Sequence, residues 1–117
     1  MNSRRQIQIC RMIQGDLNLI FECLQSQNEL VRMDALLWAA YHGFSESNVA
    51  SRIIELKNDD TAVMGFTVSD YAIAALDRLN IEKYSGKDFR MEEFIRNFVP
   101  TKQEVEEILR RNNEQTA

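Results

Sequence analysis

Proline occurs once and glycine four times in 117 residues. So few turn-forming and chain-breaking residues argue against a sandwich or barrel of many short strands. Histidine occurs once, as His42, and cysteine twice, as Cys10 and Cys23. These cannot build a Cys/His zinc site without carboxylates, and neither CxxC nor HxxxH spacing occurs. A nucleophilic triad would need His42 as its base, and His42 lies in a helix that reads as packed. GxSxG, P-loop and GxGxxG patterns are absent, and Ser85-Gly86-Lys87 is not a phosphate loop. The expectation is a chain with no metal, no cofactor and no catalytic residues.

Long apolar runs are also missing. No segment approaches the roughly 18 uninterrupted apolar residues of a membrane span. The N-terminus starts basic, but Gln6, Gln8, Arg11 and Gln14 interrupt its apolar positions, so it does not read as a secretory signal. A cytoplasmic location is expected, with no membrane partner. Cys10 and Cys23 each fall inside an apolar helical pattern and read as reduced core residues.

Basic charge is scarce where a nucleic-acid reader would need it. The net charge is −4. Residues 1–15 carry +3, residues 16–60 carry eight acids against three bases, and residues 61–99 and 100–117 carry −1 each. An acidic middle repels a phosphate backbone, and nucleic-acid binding draws on Lys and Arg along a continuous face. No nucleic-acid partner is expected. Arg4, Arg5 and Arg11 read as a solvated face.

What is present is helical periodicity. Apolar residues recur at the i, i+3, i+4, i+7 spacing in segment after segment, and about seven helices in antiparallel hairpins are expected. The first covers Arg4 to Gln14, with Ile7, Cys10, Met12 and Ile13 on its stripe. Asp16 caps the second, which runs to Ser26 with Leu17, Ile20, Phe21 and Leu24 inward. Asn28 caps the third, which closes at Gly43. Its apolar residues cover much of the circumference, so more than one side is buried. Trp38 and Tyr41 read as core, and His42 as a polar ring at a helix C-terminus. Ser45 or Ser47 caps the fourth, which runs to Lys57 with Val49, Ala50, Ile53, Ile54 and Leu56 inward. Thr61 to Phe66 reads as an irregular connection, with a short strand as the alternative. Thr67 and Asp70 form a capping box for the fifth, ending near Asn80, with Val68, Ala72, Ala75, Leu76 and Leu79 inward. A sixth over Asp88 to Val99 is stopped by Pro100. Thr101 and Glu104 cap a seventh, with Val105, Ile108 and Leu109 inward.

The chain repeats itself. Val31-Arg32-Met33-Asp34-Ala35-Leu36-Leu37 falls on Val68-Ser69-Asp70-Tyr71-Ala72-Ile73-Ala74 at an offset of 37, and Ile20-Phe21-Glu22 falls on Ile53-Ile54-Glu55 at an offset of 33. Helix pairs of this kind complete their core by stacking. Val31-Arg32 followed by Ala35 and Ala39-Ala40, the second copy at Val68, Ala72 and Ala75, and Asp59-Asp60 before that copy resemble HEAT repeats across residues 16–88. The resemblance implies a short α-solenoid, or right-handed α-α superhelix, with residues 16–88 as its repeat-like core; length and the helix pattern add a C-terminal helical hairpin over 88–113 within one helical repeat domain over 1–117. It also implies protein–protein binding, usually on the face of each repeat's second helix.

These readings point to a non-catalytic binder of another protein. Size, acidity and fold parallel immunity proteins, which neutralise a cognate toxin that is often a basic nuclease; the parallel is an analogy. The expected contact residues are Asn48, Arg52, Glu55, Asp59 and Asp60, with Tyr84 in the turn Glu82–Gly86 as a further anchor. The alternative is a structural or adaptor subunit of a larger complex, or a homodimer.

Overall fold

A computed structural model describes residues 4–83 and 102–116. Among them, α1 (Arg4–Ile13), α2 (Leu17–Leu24), α3 (Glu29–His42) and α4 (Ser47–Leu56) lead to a small hairpin, β1 (Ala62–Val63) and β2 (Phe66–Thr67). Then come α5 (Val68–Arg78) and α6 (Lys102–Thr116). The protein is mostly helical. The helix expected over 88–99, its stop at Pro100, the cap at Thr101 and the contact residue Tyr84 lie outside the described residues.

The helix ends follow local chemistry. Asp16 accepts the Leu19 amide at 3.1 Å and Asn28 accepts the Leu30 amide at 2.9 Å. Each satisfies a backbone donor that has no intrahelical partner. Gly43 closes α3 at φ 73°. The Phe44 amide reaches back to the Ala39 carbonyl at 2.9 Å and the Gly43 amide to Ala40, the paired bonds of a Schellman motif. Thr67 and Asp70 form the reciprocal capping box before α5. At α4 the expectation fails. Glu46 occupies the cap position with no side-chain bond, and Ser47 is already helical.

The connection over Thr61 to Phe66 is more regular than expected. Ala62 pairs with Thr67 and Val63 with Phe66, antiparallel, around Met64-Gly65. Both turn residues have positive φ, 51° and 83°. A type I′ turn needs that at both central positions, and Asn or Gly usually supplies it. Met64 holds the first position here, so the usual turn signal was missing from the sequence.

Internal bonds at both ends fix how the helices run. Arg5, in the first turn of α1, grips Asp34 near the start of α3 with two bonds of 2.9 Å. At the other end of α3, His42 Nε2 lies 2.7 Å from the Met12 carbonyl of α1. Since a carbonyl only accepts, that nitrogen carries the proton. α1 and α3 therefore run parallel. The same holds for α3 and α5. Arg32 in the first turn of α3 pairs at 2.9 Å with Asp59, whose carbonyl accepts the Ser69 amide at the start of α5. Arg78 in the last turn of α5 donates to the Ala40 carbonyl in the last turn of α3 at 3.2 Å. Three helices lie side by side in one direction, joined through α2 and α4. α2 also packs on α4, and α6 packs on α1.

α3 is the centre of this arrangement. Every residue from Arg32 to Ala40 is buried. Around it, Ile20 and Leu24 of α2, Val49 and Ile53 of α4 and Val68, Tyr71, Ala72 and Leu76 of α5 form one core. Several sequence expectations are corrected. Tyr41 is 50% exposed, edge-on to Trp38 at 5.3 Å, whereas Trp38 is buried. Ile54 is exposed, because the inner face of α4 is carried by Val49, Ile53 and Leu56. Leu17 and Phe21 are only half-buried, and Leu19 and Cys23 take the inner positions of α2 beside Ile20 and Leu24. Arg5 and Arg11 are not simply solvated: Arg11 pairs with Asp16 at 2.8 Å, and Arg5 neutralises a buried carboxylate.

Candidate protein-binding surface

The expected contact residues lie on α4 and the loop after it, and the structure gives them different tasks. Asn48 is exposed, its side chain accepting the Val49 amide at 2.9 Å. Arg52 is half-buried. Its Nε donates to the Leu24 carbonyl at 3.1 Å and its Nη1 meets Glu55 at 3.1 Å. A cation on the last carbonyls of α2 is favoured by that helix's dipole. Arg52 therefore ties α4 to α2. Glu55 remains largely exposed. Asp60 is exposed.

Asp59 is a knot. Besides Arg32, its carboxylate accepts the Thr61 amide at 3.1 Å and the Thr61 hydroxyl at 2.7 Å. Arg32 Nη1 in turn donates to the Ser26 carbonyl at 2.9 Å, just past α2. Ser69 Oγ donates to the Lys57 carbonyl at 2.6 Å. The ends of α2 and α4 and the starts of α3 and α5 are thereby joined. Burial pushes the Asp59 carboxyl up, but the Thr61 bonds and the Arg32 guanidinium outweigh it and hold it below the ordinary carboxylate value. A lowered folded pKa means that the ionised form stabilises the fold. The contribution is present above the unfolded pKa and is lost as pH falls through the folded one. Asp59→Asn is expected to cost about 1–3 kcal/mol at neutral pH, measured by urea unfolding, with the deficit shrinking as the wild type is acidified below the carboxylate range. An equal deficit at both ends of the titration would count against the knot.

The distribution of pairing sets the surface field. Arg5, Arg11, Arg32, Arg52 and Lys57 each hold a carboxylate of the same chain. Among the described residues no ion pair engages Glu22, Glu29, Glu46 or Asp60. Glu22 and Glu55, equivalent in the repeat, are both exposed on the neighbouring helices α2 and α4. The cations of this region are spent on its own fold, while carboxylates stay open to solvent.

Exposed apolar side chains were not foreseen as site residues. Met64 is 48% exposed and Phe66 41%, at the tip of the hairpin, with the Phe66 ring edge-on to Tyr71 at 5.8 Å. Only a hairpin reading of Thr61–Phe66 would have placed them there.

No group of three or more His, Cys, Asp and Glu is arranged to hold a metal among the described residues. Nor is any helix among them long and apolar enough to cross a membrane. No protein-family model matches the chain. No curated protein and no solved structure gives a significant match either.

Proposed function

We propose that this chain is a non-catalytic domain that binds another protein through the acidic surface of α2, α4 and the loop to β1. The observation that carries the reading is the imbalance of pairing: bases tied inward, with Glu22, Glu46 and Asp60 uncommitted and Glu55 exposed. Such a surface attracts a basic partner and speeds its encounter. Most concretely, the partner is a basic, nuclease-type toxin domain and the chain is its cytoplasmic immunity protein. That step remains an analogy of size, charge and helical class.

A HEAT-like stack is part of the same proposal. It is supported by the parallel run of α1, α3 and α5, by the contact between α2 and α4, and by the ion pair between Arg32 and Asp59, two residues on which the resemblance rests. Two features depart from an open two-layer array: α3 is buried all round its middle, from Arg32 to Ala40, and α6 packs on α1. The second reading, an adaptor subunit or homodimer, draws on exposed Tyr41, Ile54, Met64 and Phe66.

The test is affinity capture from the host with the full chain as bait, beside a Glu55→Lys/Asp60→Lys double variant. The expected result is one basic protein retained in stoichiometric amount by the wild type and lost by the variant. Identical retention by both would overturn the acidic-surface reading. A self-associated bait alone would favour the homodimer.

A further inference from the structure

The turn of the β1–β2 hairpin departs from two local preferences at one residue. Met64 stands at φ 51°, beside Gly65 at φ 83°. Asn or Gly takes that left-handed conformation with less strain than Met. Met64 is also 48% exposed, and Phe66, just after the turn, is 41% exposed. Met64 belongs neither to the core nor to the side chains packed against it. A Cβ built on Gly65 would meet no atom of the described residues within 4 Å, so the tip stands clear of them. The base of the hairpin is firmly held. Val63 is buried in the core, the Val68 amide donates to the Thr61 carbonyl at 2.9 Å, and the Phe66 ring lies edge-on to Tyr71. A fixed base thus presents an apolar tip whose strain gains nothing in packing. Such departures from local preference gather at functional sites.

We propose that the hairpin tip is an apolar plug, and that Met64 and Phe66 enter an apolar recess on the basic protein drawn in by the acidic surface. The inference rests on the binding role proposed above and names the contact that holds the partner after encounter. Desolvated apolar anchors carry most of the binding energy of an interface, while the charges around them govern encounter. The flexible, polarizable Met side chain suits an anchor that must fit a recess of irregular shape. Charge selects the occupant. Asp60 is exposed and outside every ion pair of the described residues, four positions before Met64, and Glu55 near the end of α4 is largely exposed. Lys57, the nearest base in sequence, is paired with Glu82. Two copies joined at this tip about a two-fold axis would set each acidic rim against its equal. Like charges so placed oppose association, whereas a basic surface is attracted.

The experiment begins with photo-crosslinking of the full chain in its host, using Met64→p-benzoylphenylalanine beside Tyr41→p-benzoylphenylalanine. Tyr41 is 50% exposed but lies in the last turn of α3, whereas the hairpin begins beside the first. Irradiation is expected to join one basic protein to position 64 and not to position 41. No adduct from position 64, the same yield from both positions, an adduct between two copies, or an adduct with an acidic protein would overturn the proposal. The joined protein is then purified and its dissociation from unlabelled variants is timed. Met64→Asn supplies the residue type this turn prefers, so its urea midpoint is expected to rise above the wild type's while dissociation quickens about tenfold or more. Met64→Leu keeps the apolar bulk and is expected to keep the wild-type rate. A variant that folds better and binds worse separates the contact from stability. Dissociation of Met64→Asn at the wild-type rate would overturn the plug; slowed association of Glu55→Lys/Asp60→Lys in that case would leave the acidic surface standing. Normal association of the charge variant with fast dissociation of Met64→Asn would remove the acidic-surface reading and keep the plug.

Discussion

Tyr71→Ala is expected to lose about 3–5 kcal/mol of stability, the usual range for removing a buried aromatic side chain. Tyr71 heads the fully buried side chains by size and sits in α5 against the central core. Its ring also backs Phe66 of the hairpin at 5.8 Å, so truncation leaves a cavity and a loosened β2 together. Burial, helped by the Asp70 charge, pushes the phenol up to about 12, so it stays neutral through the physiological range. Chemical unfolding followed by the single Trp38, buried in the same core, reads the loss directly. Tyr71→Phe keeps the ring and is expected to cost far less. A loss under about 1 kcal/mol for the Ala variant would mean that the α3–α5 packing is not the centre of the fold.

Arg5→Ala is expected to be the second most damaging change. It strands the Asp34 carboxylate, which is 4% exposed at the side chain, between α1 and α3. Breaking a buried pair costs about 3–5 kcal/mol, but the Arg5 side chain is 43% exposed and solvent screens it, so about 2–3 kcal/mol is expected. The pH dependence is distinctive. Burial pushes the Asp34 carboxyl above its ordinary value, against the bonds from Arg5, and without Arg5 it rises further. A raised folded pKa means that the folded state holds its proton more tightly than the unfolded one. That contribution favours the fold most below the unfolded carboxyl pKa and is lost as pH rises through the folded one. The Arg5→Ala deficit should therefore shrink on acidification from neutral, as the Asp59→Asn deficit does, but for a different reason: here the variant's stranded Asp34 takes up a proton, whereas there the parent's Asp59 loses its stabilising charge. Asp34→Asn in the Arg5→Ala background should restore part of the stability at neutral pH. Denaturant midpoints at two pH values decide it, and a deficit independent of pH would contradict a buried carboxylate.

These two sites mark where sequence reading ended. Periodicity and caps located the helices well, because Asp16, Asn28, Gly43 and the Thr67/Asp70 box act on backbone atoms within a few residues of themselves. Tyr71 was overlooked although it stands three residues after Val68 and four before Ala75, a spacing that belongs to the buried stripe. Arg5 and Asp34 lie 29 residues apart, and no local pattern pairs them. Glu46 at the α4 cap and Met64 in a left-handed turn fill positions usually held by other residue types, so their elements began or turned where no signal stood. The acidic character of residues 16–60 was plain from composition. Which carboxylates remain open was not, since that depends on Arg32, Arg52 and Lys57 finding their partners in three dimensions.

The central claim is that the open carboxylates of α4 and its following loop meet a basic protein. Its most direct test is the association rate of the captured partner, measured by stopped-flow fluorescence at low and at physiological salt, for the wild type and for Glu55→Lys/Asp60→Lys. The wild-type rate should exceed the variant's by roughly tenfold or more at low salt, with the gap narrowing as salt screens the charges. Equal rates for the two proteins at low salt would contradict the claim.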